Sequence, residues 1–334
     1  MFDLYDVLGI TQLMVWGKEL IGKKSELYHS EQIEPVKYNY RPTSLETYIG
    51  QENAKSLVKL NLQKIKTIKF VHFLISGHAG MGKTSLANVI GRELNCPVTY
   101  QIGGNFTMET LIKFLSKSQD DHNNLHILFI DEIHNLEKLL AEFMYPILED
   151  WTLPIDNLKL KPFVLIGATT EKSTLVKKFK PLVDRCNCQI ELDDYTALEI
   201  KQILIQYNDQ LYQKNISSDI YDIISNNCRF CPRIALALFD DMLVCENISQ
   251  VLKAHRIISN SLTTIDIKIL THLVEIGKPI AQETLAIIGN VDRSDYRLIV
   301  EPFLVNQNYI SRTSRGRVAT EKAKQLLRSL NEKT

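Results

Sequence analysis

The segment Gly77-His-Ala-Gly-Met-Gly-Lys-Thr84 constrains the fold of this chain more than any other stretch of it. It reads G-x-x-x-x-G-K-[ST], follows the apolar run Phe70–Ser76 and precedes a helical pattern over Ser85–Leu94. Glycines in that context let backbone N–H groups close around a phosphate, at a helix N-terminus that already favours negative charge. The loop needs a buried strand before it and a helix after it, which demands an open α/β sheet. Gly80, Gly82 and Ser85 belong to the expected cradle. Lys83 is expected to bridge the β- and γ-phosphates of ATP, and Thr84 to ligate Mg2+. A chance Gly-rich turn would carry neither the flanking elements nor a partner strand downstream.

That partner is Ile127-Leu-Phe-Ile-Asp131-Glu132-Ile-His134. Four apolar residues bury a strand and deliver Asp131 to its C-terminal end, where it is expected to hold Mg2+ through water. Glu132 is then placed to polarise an attacking water, so the pattern is that of a hydrolysing site. An acidic pair could instead merely cap the next helix. The strand-end position beside a phosphate loop, where open α/β sheets bind ligand, favours catalysis. A third run, Phe163–Ile166, is closed by Gly167-Ala-Thr-Thr170, and a hydroxyl there can orient the lytic water or sense the γ-phosphate. Alone, a threonine at a strand end is ordinary β-propensity.

Strands alternating with helices predict a parallel sheet covered on both faces. After Glu191 the strands stop. Ala197–Leu211, Ser218–Asn227 and Pro232–Val244 carry apolar residues at helical spacing, which predicts an all-α domain. Ile265–Ile276, Ala281–Ile288 and Arg293–Asn306 are three further helix candidates, and Tyr309–Thr320 is a Gly-containing hairpin. That order suggests a winged helix. The expected division is an N-terminal extension over 1–37 with an amphipathic Val7–Trp16, an ATPase domain over 38–190, a helical lid over 191–262 and a winged helix over 263–334.

Composition sets outer bounds. Lys+Arg and Asp+Glu are both 39 in 334 residues, which excludes a uniformly basic nucleic-acid coat but not a local patch. Between Tyr309 and Arg328 stand six basic residues (Arg312, Arg315, Arg317, Lys322, Lys324, Arg328) against Glu321, a plausible phosphate footprint. A solubilising face would look the same. No apolar stretch is long enough for a membrane span. Asp3 and Asp6 stand where a signal peptide carries positive charge, so a cytoplasmic protein is expected. Cys186-Asn-Cys188 and Cys228-Arg-Phe-Cys231 have the form of zinc half-sites but fall in two different domains, so buried core thiols are the expectation.

In order and kind these parts resemble the AAA+ ATPases, and within them the RuvB family. The similarity covers about residues 38–327. It begins with Tyr40-Arg-Pro-Thr-Ser-Leu-Glu-Thr-Tyr-Ile-Gly-Gln51 and runs through the phosphate loop, Asp131-Glu-Ile-His134 and Tyr145-Pro-Ile-Leu-Glu-Asp150. It continues with Asp184-Arg185, Tyr195 and Pro232-Arg-Ile-Ala235, and ends with Glu301-Pro302 and the Arg-rich Arg312–Thr320. The resemblance implies nucleotide contacts from Tyr40, Arg41, Glu149, Asp150, Trp151 and Tyr195. It also implies an arginine finger at Arg185, a lid arginine at Arg233, a first sensor at Thr170 and DNA contacts from Arg293, Arg312 and Arg317. It implies a homo-hexameric motor that drives branch migration of Holliday junctions, with a RuvA-like junction-binding partner and a RuvC-like resolvase.

The sequence departs from the family in four places. Trp151–Lys161 is shorter than the family's hairpin that docks on RuvA, leaving little more than a turn around Asp156-Asn157. His78-Ala79 replaces a Pro-Pro pair, Val183 stands in place of an arginine, and residues 1–37 exceed the usual N-terminus. Two competing readings follow. One is an ATP-dependent switch of the clamp-loader or initiator type; a winged helix with an Arg-rich wing, in place of a helical collar, speaks against it. The other is a transcriptional regulator, which leaves Lys83, Glu132 and Arg185 unexplained.

Overall fold

The computed structural model describes residues 40–67, 70–121, 125–154 and 158–331. Val7–Trp16, Asp156 and Asn157 lie outside the described residues. Among them, five parallel strands form one sheet: β1 (Phe73–Ser76), β2 (Val98–Ile102), β3 (Ile127–Asp131), β4 (Val164–Thr169) and β5 (Cys188–Glu191), in the order β2-β3-β4-β1-β5. β1 and β4, and all of β3 but Asp131, are buried along their length, as central parallel strands must be. β1, β4 and β3 are neighbours in register, with Ser76 opposite Thr169 and Ile130 opposite Gly167. Their C-terminal ends therefore bring the phosphate loop, Thr169-Thr170 and Asp131-Glu132 to one edge.

Helices α1 (Glu52–Thr67), α2 (Lys83–Glu93), α3 (Met108–Asp120), α4 (Lys138–Asp150) and α5 (Lys172–Arg185) cover the sheet. Two buried clusters fill its faces. One, around Phe73, Ile75, Ile90 and Phe129, runs on without a break into the lid through Ile200, Ile224 and Phe239. The other packs Leu74, Leu128 and Ile130 under α3, α4 and α5. Pro181 lies within α5, and the helical geometry breaks two residues earlier at Phe179 (φ −135°, ψ 48°).

The lid is α6 (Ala197–Leu211), α7 (Ser218–Asn226), α8 (Pro232–Cys245) and α9 (Ile248–Ala254). A reciprocal Thr196–Glu199 box caps α6, and Pro232 opens α8 where its missing N–H costs nothing. A short hairpin, β6 (Ile257–Ser259) with β7 (Leu262–Thr263), leads to α10 (Thr264–Ile276), α11 (Gln282–Gly289), α12 (Arg293–Asp295) and α13 (Glu301–Asn306). The turn Tyr296–Val300 joins α12 to α13 as a π-helix, widening the spiral just before Pro302, which has no N–H to donate. The wing is β8 (Ile310–Thr313) with β9 (Gly316–Ala319), followed by α14 (Glu321–Asn331). Ile280 joins the wing through a single-residue antiparallel bridge, exchanging two bonds with Arg317. That approach requires glycine at 316: φ is +139° and a Cβ would stand 2.5 Å from the Ile280 carbonyl oxygen.

Two expectations need correction. Three predicted strands become five, because β2 and β5 carry polar residues and are only partly buried. The third predicted strand does not end at Gly167 but passes through it to Thr169. Glycine is there because a Cβ would meet Ile133 Cδ1 at 2.8 Å. No described helix is long and apolar enough to cross a membrane.

Candidate functional site

A cleft of about 560 Å3 opens between the sheet edge and the lid. Gly80, Gly82, Lys83, Thr84, Ser85, Asp131 and Glu132 line one part of it; Tyr40, Arg41, Tyr195 and Arg233 line the rest, with Tyr207 and Asp240 from the lid. The loop backbone holds a left-handed conformation at Gly80 (φ +83°) and Gly82 (φ +95°). A Cβ on Gly80 would lie 2.6 Å from Cys231 Sγ and 2.9 Å from Arg233 Cβ, so the loop and α8 are in direct contact. Two tyrosines brace the same loop: Tyr48 donates its hydroxyl to the Gly82 carbonyl (3.3 Å) and Tyr195 to that of Met81 (3.4 Å). Gln51 fixes the approach of Tyr195 through paired bonds with the Asp193 backbone at 2.6 and 3.0 Å.

Lys83 opens α2 and is buried. Its ammonium donates to the carbonyls of Gly77 (2.8 Å) and His78 (2.9 Å). Burial holds its pKa below the ordinary lysine value; Arg233 pushes the same way and Glu132 and Asp131 oppose. A buried cation supplied only with carbonyl partners is poised for a polyanion. Thr84 Oγ1 and Asp131 Oδ2 face each other at 3.5 Å, too long for a good hydroxyl bond. A hydroxyl and a carboxylate at that spacing form an oxygen donor set that fits Mg2+.

Glu132 sits in a left-handed turn (φ 47°) directly after β3. One of its carboxylate oxygens, Oε2, accepts from the Thr170 N–H (3.0 Å) and the Thr170 hydroxyl (2.9 Å). His134 Nδ1 stands 3.2 Å from the same oxygen and 2.9 Å from Thr169 Oγ1. Among the described residues no hydrogen bond engages the other oxygen, Oε1. The Thr169 hydroxyl also accepts from the Glu171 N–H at 3.0 Å, and Glu171 pairs at 3.1 Å with Arg297 of the C-terminal domain.

Arg185 is not brought to this cleft. It ends α5, donates to the carbonyls of Tyr145 (3.0 Å) and Pro181 (2.8 Å), lies over the Tyr145 ring and pairs with Glu149. Glu149, Asp150 and Trp151 are also absent from the cleft, contrary to the expectation of nucleotide contacts within one chain. Asp150 offers its carbonyl to Lys159 (3.1 Å), and Trp151 packs against His72, Phe70 and Phe163. They sit at the C-terminal end of α4.

The DNA candidates divide. Arg293 is exposed at the start of α12. Arg312 Nε donates to Glu301 Oε1 at 2.5 Å, and Arg317 meets both oxygens of Glu301 at 3.0 and 3.2 Å and Gln282 at 2.9 Å. Glu301 is fully buried, so Arg317, with a side chain 22% exposed, is committed to neutralising it. Arg317, expected as a DNA contact, spends most of its donors inside the domain, whereas Arg312 keeps 56% exposure.

The shortened loop is a two-residue ladder: Leu153 N–H donates to Leu158 (2.9 Å) and Leu160 N–H to Trp151 (2.7 Å), with Leu153 and Leu160 turned into the core. Among the described residues no group of three His, Cys, Asp or Glu could hold a metal ion as a cluster. Burial raises the thiols of Cys186 and Cys228 to about 12 and that of Cys188 to about 11. Sequence reasoning missed Tyr48, Gln51, Tyr207 and Asp240. The apolar spacing of Leu45 and Tyr48 was the available signal for the first; the lid residues had none.

Comparison with known proteins agrees with this geometry. Residues 40–192 match the family model of the Holliday junction DNA helicase RuvB P-loop domain, and residues 259–328 that of the RuvB C-terminal winged helix domain. The chain is 34% identical to the Holliday junction branch migration complex subunit RuvB of Thermotoga petrophila over 308 residues, covering 85% of this chain and 90% of that one. It is 32% identical to the subunit of the same name from Fusobacterium nucleatum, over 92% of this chain and 98% of that one. The solved Thermotoga maritima RuvB Holliday junction branch migration motor superposes with a TM-score of 0.72 at 31% identity, over 86% of this chain and 98% of that one. Both family models and relatives more than 30% identical over most of the chain agree: the chain belongs to the RuvB family of AAA+ ATPases.

Proposed function

We propose that this chain is an ATP-driven DNA motor that moves duplex DNA and branch-migrates Holliday junctions in recombination and repair. The observation that carries the proposal is the union of a hydrolytic constellation with a basic winged helix in one chain. Lys83 meets the phosphates with a charge already stripped of water. Thr84 and, through water, Asp131 are the residues to hold Mg2+, whose chemistry here is to neutralise phosphate charge. Glu132 is oriented by Thr170 through one oxygen and takes the proton of the attacking water on the other. Arg233 reaches the phosphates from the lid, so that closing α8 and sensing nucleotide are one motion.

Arg185, remote from its own cleft, serves the cleft of a neighbour, as does the Glu149–Trp151 corner beside it. That makes the working form a ring, a homo-hexamer in the cytoplasm. A RuvA-like protein is the proposed junction-binding partner and a RuvC-like resolvase the consumer of its product. Arg293 and Arg312 contact backbone phosphates, because a motor that travels along any DNA must not read bases.

Dissociation of a four-way junction into duplexes, with ATP and a RuvA protein from the same source, tests the proposal. Junction-stimulated ATPase with duplex products supports it. ATP turnover that loads another protein onto DNA without moving a junction favours the clamp-loader or initiator reading.

A further inference from the structure

Asp240 is a carboxylate in a cleft built for a polyanion, and none of the residues assigned above explains it. Pro232, Arg233, Leu236, Ala237 and Asp240 all line the cleft from one face of α8. Arg233 touches the phosphate loop at Gly80. Asp240 lies seven residues further along the helix, about 10 Å at 1.5 Å per residue. That is the order of the span from a nucleotide's phosphates to its base. The wall at this end is apolar and aromatic, with Ile203, Tyr207 and Leu236, and the Tyr40 ring packed edge-on to Tyr207 at 5.3 Å. The base end of the cleft therefore carries one acceptor-only charge.

The hydrogen bonds of Asp240 decide what that charge can accept. Oδ1 takes the hydroxyls of Tyr207 (2.9 Å) and Tyr212 (3.0 Å), which uses both of its lone-pair directions. Oδ2 receives only the longer branch of that same Tyr207 proton (3.1 Å), so its lone pairs keep room for a further donor. Among the described residues no cation pairs with Asp240 within ion-pair distance. A negative charge fixed in this way repels a carbonyl and welcomes one N–H donor. Adenine presents an exocyclic amine where guanine presents a carbonyl oxygen. Guanine could still offer its two adjacent ring-edge donors, but those need both carboxylate oxygens, and Oδ1 is taken.

We propose that Asp240, held by Tyr207 and Tyr212, selects adenine nucleotides against guanine nucleotides at the base end of the cleft. This deepens the ATPase reading and rests on it.

The test uses the full chain and competition binding of ATP, dATP and GTP, with hydrolysis measured in parallel. The wild type should prefer ATP to GTP. Asp240→Asn keeps a carbonyl for the tyrosines and turns an amide N–H2 toward the base, so the ATP-to-GTP affinity ratio should fall by about tenfold or more, the effect of one hydrogen bond exchanged for a repulsion. Tyr212→Phe frees Oδ1 and should shift the ratio toward GTP in the same direction, which keeps the test open if Asp240→Asn fails to fold. An unchanged ratio in both variants overturns the proposal, as does a wild type that prefers GTP. A change confined to ATP against dATP would assign the carboxylate to a sugar hydroxyl and also overturn it. Failure of the wild type to hydrolyse any nucleotide, with selective binding intact, would sink the ATPase reading and leave this one standing.

Discussion

Thr170 gives both of its donors to a single oxygen of Glu132, its backbone N–H at 3.0 Å and its hydroxyl at 2.9 Å. The residue that follows β4 therefore sets the orientation of the carboxylate that follows β3, through the register of two neighbouring parallel strands. Glu132→Gln should bind ATP and lose about 10²-fold or more in kcat, the usual contribution of a general base. Thr170→Ala should lose about tenfold in kcat with little change in KM, because one hydrogen bond to the base is removed and the backbone bond remains. Lys83→Ala should instead lose nucleotide affinity. Steady-state kinetics with equilibrium nucleotide binding checks the split; near wild-type kcat in Glu132→Gln would remove the catalytic assignment.

Arg185→Ala should bind nucleotide normally and fail to hydrolyse it, with a loss of about 10³-fold or more, as for a finger supplied in trans. Mixed with Lys83→Ala it should recover turnover, since each subunit brings what its neighbour lacks. Two inactive proteins that co-assemble by size-exclusion chromatography yet stay inactive at every ratio would argue against shared sites.

The buried Glu301 separates two kinds of wing arginine. Arg293→Ala and Arg312→Ala should weaken DNA binding for all sequences and lower the slope of log K against log[salt] by roughly one each. Arg317→Ala should chiefly destabilise the C-terminal domain, by about 3–5 kcal/mol, because it leaves a buried carboxylate short of its main partner. Salt titrations of binding beside thermal melts distinguish the two. An Arg317→Ala protein that melts like the wild type but loses one unit of salt slope would return it to the DNA surface.

How much of this was legible in the chain follows from burial. β1 and β3 announced themselves because four consecutive residues of each are buried on both faces, and Lys83, Asp131 and Glu132 came with them at fixed offsets. β2, Val-Thr-Tyr-Gln-Ile, is an edge strand with no fully buried residue, and β5, Cys-Gln-Ile-Glu, alternates buried and exposed over four residues, too short to stand out. Asp240 was silent because only the packing of α8 beside α6 turns it toward the cleft. Glu301 stood out only through the resemblance, and its pairing was hidden for the same reason: Arg312 and Arg317, 11 and 16 residues later, close over it only once the wing folds back. Glu149, Asp150 and Trp151 do not line this chain's own cleft, and a resemblance carries contacts over without saying which subunit would make them.

His72 gives the fold an acid-sensitive link. Its Nδ1 accepts from the Leu165 N–H at 3.0 Å, so the proton sits on Nε2, which donates to the Leu148 carbonyl at 3.1 Å. Burial lowers its pKa from the ordinary 6.5 to about 4. The unfolded chain takes up its proton near the higher value and the folded chain only near the lower one. The stabilisation is therefore complete above that ordinary value and is lost as pH falls toward the lower, on the order of 3 kcal/mol in total. Urea unfolding midpoints at about pH 7.5 and about pH 5 should differ in the wild type and converge in His72→Gln. An equal difference in both proteins would place the acid sensitivity elsewhere.

The last prediction concerns the stub between α4 and β4. Where the resemblance implies a hairpin that docks on RuvA, two backbone bonds tie the described residues of this loop together, with Leu153 and Leu160 buried and Leu158 exposed. A loop as short as Trp151–Lys161 has little to offer by itself toward the roughly 800 Å2 per partner that a stable protein interface buries. The sequence offers a substitute in Val7–Trp16, whose apolar residues have the spacing of a helix that anchors in a groove. Deleting residues 1–37 should therefore leave basal ATPase near wild type while cutting RuvA affinity by about tenfold or more, and junction migration with it, because the ring is no longer loaded. ATPase, RuvA binding and migration measured on the same truncated protein give the answer. If it binds RuvA and migrates junctions as well as the full chain, the short loop docks unaided and the N-terminal segment has another role.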